Sequence, residues 1–258
     1  MKRFVTFLLI LLMVFNLHAK SESPFSLSPR FDVAALAIGI SGDLIFRNLK
    51  PNFDPWDGTT LDKGDINALD RFFAHGYRKV PNEISNVTAF LTCLSPLVLL
   101  KDNADDWKTF SVMYAETLAY TSFTCNALKY MTNRNRPYMY YSTKSDTGDD
   151  RRHSFPSLHT AWAFAGATFT SYTYMKYNPD SKYIKQVAIA SYSFAAVTGA
   201  LRIAAGKHFF TDVVSGAAIG SFYGYIIPKL HSLKAKANNK VLDALEVAPG
   251  YVGFNVAL

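Results

Sequence analysis

Residues 185–228 read KQVAIASYSFAAVTGALRIAAGKHFFTDVVSGAAIGSFYGYIIP. Two apolar runs, 185–205 and 209–228, flank a short junction holding Gly206, Lys207 and His208. Both runs are long and lack strict alternation, so they predict helices rather than strands. Arg202 lies near the end of the first run and Asp212 near the start of the second. His208 and Asp212 are four residues apart, neighbours on one face if the helix continues there. Charged groups beside apolar helices cost free energy unless they serve one another or a ligand. The stretch therefore predicts two core helices with chemistry at their junction.

Four further apolar segments, 32–46, 86–100, 109–128 and 157–175, also predict helices, the first two interrupted by β-branched residues and glycines. The fold class that follows is all-α, a membrane-embedded bundle of five to six core helices. The chain of 258 residues is 49% hydrophobic, 15% aromatic and 18% charged. That leans away from an ordinary soluble enzyme, although the mean hydropathy of +0.04 is low for a chain built mostly of spans. The net charge is +7. No zinc-finger spacing, basic helix or aromatic RNA-binding motif accompanies it, which argues against nucleic acid as a partner. Positive charge at membrane boundaries and in an anion site accounts for the excess.

Met1-Lys2-Arg3, an apolar run from Phe4 to Leu17, and Ala19 read as an export signal over residues 1–19. Residues 20–84 then form an N-terminal apolar segment and an extracytoplasmic loop with a short amphipathic helix near 65–75. Residues 85–228 form the core, and 229–258 a basic tail that alternates weakly around Tyr251 to Val256. The segment 32–46 contains Asp32 and Asp43 and is short for a span. Without it, five spans remain. The lysines at 176, 182 and 185, and at 229, 234, 236 and 240, then fall inside, as the positive-inside tendency expects. The polar clusters then face the extracytoplasmic side, the periplasm of a bacterial cell. A soluble exported enzyme is the competing reading. Cys93 and Cys125 lie in apolar runs, as buried thiols or as one disulfide formed after export.

Three clusters carry the chemistry. Lys129 and Arg136, seven apart and followed by Pro137, point the same way on a helix. Pro156-Ser157-Leu158-His159 opens an apolar helix whose free N–H groups and dipole suit an anion. Arg202, His208 and Asp212 add a cation and a His–carboxylate pair. The plainer readings are a basic helix end, an ordinary Ser157 N-cap and a structural ion pair. A metal does not fit among three cations. Taken together, three cations suit an oxyanion such as phosphate, and two histidines suit nucleophilic and acid–base work on it.

In order and spacing the clusters resemble the type 2 phosphatidic acid phosphatase and haloperoxidase superfamily. Its motifs read K-x6-R-P, P-S-G-H and S-R-x5-H-x3-D, and the resemblance covers roughly residues 85–228. It implies that Lys129, Arg136 and Arg202 bind phosphate oxygens, helped by Ser157 and the Leu158 amide. It implies that His208 attacks phosphorus to form a phosphohistidine, that Asp212 orients His208, and that His159 serves as acid and then base. No metal and no cofactor are implied. Leu158 stands where the family has glycine, and Leu201 where it has serine.

The function expected is metal-independent phosphomonoester hydrolysis of a lipid phosphate: phosphatidic acid, phosphatidylglycerol phosphate, undecaprenyl pyrophosphate or lipid A. The partners expected are that lipid and the membrane, with no protein partner implied. A soluble exported acid phosphatase and a lipid phosphotransferase are the alternatives, followed by a non-catalytic anion- or lipid-binding protein.

Overall fold

The computed structural model describes residues 23–49, 59–101, 103–141, 150–243, 245–248 and 251–254. The expected export signal at 1–19 lies outside them. The helices are α1 (Pro29–Asn48), α2 (Ala68–Phe73), α3 (Lys79–Leu94), α4 (Trp107–Thr132), α5 (Leu158–Tyr177), α6 (Ile184–Ala204) and α7 (Phe210–Asp243). The all-α bundle expected from the sequence is what forms. The weak alternation near its end becomes one small antiparallel hairpin, β1 (Leu245–Ala248) with β2 (Tyr251–Phe254), Val247 facing Val252.

Local chemistry sets the helix ends. Pro29 occupies the first turn of α1, where its missing N–H costs nothing. The Asn67 side chain accepts from the Asp70 N–H and starts α2. Asn133 takes a left-handed conformation with φ of 44° and stops α4, its N–H donating to the Lys129 carbonyl.

Helix α5 is the axis of the bundle and packs against α3, α4, α6 and α7. Ala161, Ala163, Ala165, Ala167 and Phe169 are fully buried. Small residues allow this closeness. A Cβ at Gly220 of α7 would lie 2.0 Å from the Ala161 carbonyl oxygen, and one at Gly216 would lie 2.4 Å from that of Ser157. Backbones meet there directly, as in membrane-type helix packing.

The outside of the bundle is apolar. Val80, Val87, Phe90, Leu91 and Val98 are exposed along α3 and the 3-10 turn after it, as are Ile189, Phe194 and Val197 on α6 and Phe31, Ile38 and Ile45 on α1. Exposed apolar side chains in such number mark surfaces that meet something other than water. Among the described residues, Lys79–Leu100 and Ile184–Ala204 are long and apolar enough to cross a membrane. That is fewer than the five spans expected, because α4, α5 and α7 place many polar side chains in the protein interior.

Other differences have local causes. Helix α7 does not stop near 228 but runs through Pro228 to Asp243, since one proline removes one N–H and packing supplies the rest. The short amphipathic helix exists as α2, but it turns Phe72 and Leu69 outward and buries Asp70. Phe73 stacks on Phe210 of α7 with ring centres 5.0 Å apart, while Asp70 meets an ionic partner inside. Cys93 and Cys125 are free thiols.

Candidate active site

The three sequence clusters converge at one end of the bundle, where α4 ends, α5 begins and the α6–α7 junction turns. Lys129 lies in the last turn of α4, and its Nζ donates to the His153 carbonyl at 2.5 Å. The chain then leaves the helix. The Arg136 N–H donates to the Arg151 carbonyl at 2.9 Å, and the Ser154 N–H to the Arg134 carbonyl at 3.0 Å. These two bonds hold the first cluster beside the approach to the second. The Tyr138 N–H donates to the Gly206 carbonyl at 3.2 Å and ties both to the third. Gly206 has φ of +67°, and a Cβ there would meet the His75 and Gly76 carbonyl oxygens at 2.5 Å. Only glycine suits that turn. Tyr138 and Met139 are buried packing residues, while Tyr140 packs edge-on to Phe209.

His208 is the centre, 2% exposed. Its Nδ1 lies 2.6 Å from the Ser154 carbonyl oxygen. A carbonyl only accepts, so Nδ1 carries the proton and Nε2 keeps its lone pair. Arg136 Nη1 lies 3.1 Å from that Nε2 and also donates to the Lys207 carbonyl at 2.8 Å. Burial pushes the imidazole pKa well below its usual 6.5, and the positive charges of Arg136, Arg202, Lys129 and His159 push it the same way. All the expected cations are therefore close enough to act on this one ring.

Arg202 ends α6 at 3% exposure, aimed by α3. Its Nη1 donates to Asn82 Oδ1 at 2.9 Å, Ser85 Oγ at 3.1 Å and Asn86 Oδ1 at 3.4 Å. Ser157 is the N-cap of α5 and is fully buried. Its N–H donates to the Asp212 carbonyl at 3.0 Å, and its Oγ lies 2.9 Å from Thr160 Oγ1. Leu158 and His159 form the first turn of α5, both partly exposed, with the His159 ring 6.4 Å from that of Trp162.

Asp212 departs from its expected position relative to His208. Its Oδ2 is 3.7 Å from His208 Nδ1. That oxygen accepts instead from Ser154 Oγ at 2.5 Å and the Phe209 N–H at 2.8 Å, while Oδ1 meets Arg134 Nη1 at 2.5 Å. Asp212 thus holds the residue whose carbonyl holds His208.

Sequence reasoning missed the brace around this pair. Arg134 reaches Asp212 with Nη1 and Asp70 with Nη2 at 2.6 Å, its guanidinium stacked 4.3 Å from the Phe209 ring centre. Asp70 accepts from the Thr211 N–H at 2.9 Å and the Thr211 hydroxyl at 2.7 Å. Burial raises the Asp70 carboxyl, but these bonds and Arg134 outweigh it and hold the pKa below its usual range. The available sign was an aspartate in a short helix that also holds Leu69, Phe72 and Phe73.

Residues 110–236 match the family model described as the PAP2 superfamily. Lipid A 1-phosphatase of Porphyromonas gingivalis is 27% identical over 230 residues, covering 84% of this chain and 48% of that protein. The chain therefore spans about half the length of that relative. A solved structure, the first transmembrane PAP2 type phosphatidylglycerolphosphate phosphatase from Bacillus subtilis, aligns over 88% of this chain and 92% of its own, at 20% identity and a TM-score of 0.46.

Proposed function

We propose that this chain, whose residues 110–236 match the PAP2 superfamily model, is a membrane-bound phosphatase acting on a lipid phosphate monoester through a phosphohistidine. The observation that carries the reading is the His208 environment. A buried imidazole has its proton fixed on Nδ1 by a backbone carbonyl, and its Nε2 lone pair faces a guanidinium. It is a neutral nucleophile surrounded by cations that cost free energy until an anion arrives.

A phosphate dianion binds among Lys129, Arg136 and Arg202, with the Leu158 amide and the positive end of α5 adding donors. Ser157, already engaged in the cap, holds that helix end in place. His208 Nε2 attacks phosphorus, and the bond from phosphorus to the leaving oxygen breaks. His159 gives that oxygen its proton. A water then attacks phosphorus, His159 takes its proton, and the nitrogen–phosphorus bond breaks to release phosphate and restore His208. Asp212 supports the charge that develops on the ring from 3.7 Å and acts mainly through Ser154.

The apolar exterior of α3 and α6 supports a lipid substrate over a small soluble ester, since a lipid can enter sideways from the bilayer. Lipid A phosphate leads the candidate lipids, on the strength of the relative named above. Phosphatidic acid, phosphatidylglycerol phosphate and undecaprenyl pyrophosphate follow. The lysines near the far ends of α5 and α7 support an extracytoplasmic site.

The test is phosphate release by purified protein in EDTA, on a lipid phosphate panel and one small monoester, with His208→Ala as control. Release from lipids that is lost in the variant supports the reading. Equal release from the small ester favours an exported acid phosphatase. Transfer to an acceptor lipid without free phosphate identifies a phosphotransferase, and release that persists in the variant removes His208 from the mechanism.

A further inference from the structure

A second polar cluster lies far from the site just described. Asp32 of α1, Glu116 of α4 and His231 of α7 are 2%, 3% and 2% exposed, and one ligand atom from each lies within 4.8 Å of the others. Glu116 precedes Lys129 on the same helix by 13 residues, which at 1.5 Å per residue is about 20 Å. His231 follows Asp212 on α7 by 19 residues, or about 28 Å. The cluster therefore sits towards the opposite end of the bundle, and no step of phosphoryl transfer uses it.

The hydrogen bonds define what it asks for. His231 Nδ1 lies 2.9 Å from the Ser26 carbonyl oxygen, so Nδ1 carries a proton and Nε2 is presented to the cluster. That Nε2 lies 2.9 Å from Glu116 Oε2. A ring nitrogen lone pair and a carboxylate oxygen repel unless a cation, either a proton or a metal, sits between them. Glu116 Oε1 is buried and has no hydrogen-bond partner among the described residues, an expensive state for a carboxylate. Asp32 Oδ2 accepts from the Ser28 N–H at 2.6 Å, and its Oδ1 meets Lys234 Nζ at 2.8 Å. The Lys234 side chain is 33% exposed, so it can withdraw into solvent and vacate Oδ1.

We propose that Asp32, Glu116 and His231 form a binding site for a divalent transition metal of the Zn²⁺ class, which clamps α1 to α4 and α7. One imidazole and two carboxylates are a donor set such ions accept. The Ser26 carbonyl on Nδ1 is the outer partner that a metal-binding histidine typically has. Both oxygens of Glu116 then gain a use. Binding displaces the proton shared by His231 and Glu116 and releases Lys234 from Asp32, so one proton leaves per ion bound. The path in follows the exposed stem of Lys234. The function is structural: three helices far apart in sequence meet at one ion.

The experiment uses the full chain in detergent, stripped with chelator and titrated with Zn²⁺. Bound metal is counted by mass spectrometry, and proton release is read from calorimetry in buffers of different ionisation enthalpy. The expected result is about one Zn²⁺ per chain, about one proton released, and a rise in Tm that EDTA reverses. Glu116→Gln and His231→Gln should abolish uptake, while His208→Ala keeps it. Lys234→Met removes the competing ammonium at a partly exposed position and should raise the affinity and enlarge the Tm rise. The proposal is overturned by no uptake above background in the unaltered chain, by uptake unchanged in both Glu116→Gln and His231→Gln, or by loss of uptake in Lys234→Met. If the two ligand variants do not fold, proton release and the Lys234→Met response decide.

Discussion

The Ser154 carbonyl oxygen stands 2.6 Å from His208 Nδ1, while the carboxylate of Asp212 remains 3.7 Å away. The imidazole is therefore oriented by backbone, and Asp212 acts by gripping the Ser154 hydroxyl and the Phe209 N–H. Ser154→Ala keeps the carbonyl and removes the hydroxyl from a fully buried position. It should lower stability by about 1–3 kcal/mol and reduce kcat with little change in KM. Thermal melts with steady-state kinetics check this. A drop in KM-dependent terms alone would argue that Ser154 meets substrate instead.

His208→Ala should remove turnover and the phosphoenzyme together while the fold persists. Rapid quench with labelled substrate should trap phosphate on the unaltered chain in an acid-labile, base-stable form. Vanadate, which mimics the transferring phosphoryl group, should inhibit. An acid-stable phosphoprotein would place the covalent bond on a hydroxyl or carboxyl instead.

The depressed His208 pKa has two consequences with a definite sign. In the unfolded chain this histidine takes up a proton as pH falls through about 6.5, whereas the folded protein resists protonation until well below that. The unfolded state then binds more protons, so the stability held by the neutral ring above about pH 6.5 is lost progressively on acidification. For the same reason the acid limb of kcat/KM due to His208 should lie below the ordinary histidine range. Arg136→Gln removes one of the charges that depress it and should move that limb upward. An unmoved limb, at whatever reduced rate, would show that another group titrates.

Arg134 joins two carboxylates that are fully buried, while its own side chain is 26% exposed. Arg134→Ala leaves Asp70 and Asp212 facing each other without their shared cation. The expected loss is about 3 kcal/mol, at the low end for breaking a buried pair because the arginine is partly solvated. A double-mutant cycle with Asp70→Asn, read by denaturant melts, should show strong coupling. Additivity would mean the two act separately.

Leu158 occupies the first turn of α5, where the family has glycine. Leu158→Gly removes side-chain bulk beside the anion and leaves the N–H donor, so activity on a small monoester should hold or rise. The helix start should weaken by roughly 1 kcal/mol or less. A large fall in activity on lipid alone would show that the leucine contacts the acyl chains.

The sequence by itself determined the helical class, the three clusters and the family they resemble, because these depend on spacing within single helices and turns. Lys129 with Arg136, Ser157 with His159, and His208 with Asp212 are each separated by seven residues or fewer, so the short spacing is local even though Arg136, Ser157 and His208 lie just outside the helices that hold their partners. It also showed that α5 and α6 are apolar. Only the tertiary structure decided that Asp212 reaches His208 through Ser154 as well as across 3.7 Å, since a second acceptor closer to Nδ1 arrives from 54 residues away. The Arg134 link between Asp70 and Asp212 spans 64 and 78 residues, and the His231–Glu116 contact spans 115. No periodicity encodes such pairings. They exist because small residues let α5 and α7 approach closely, and because each buried charge then had to find a partner in the space that remained.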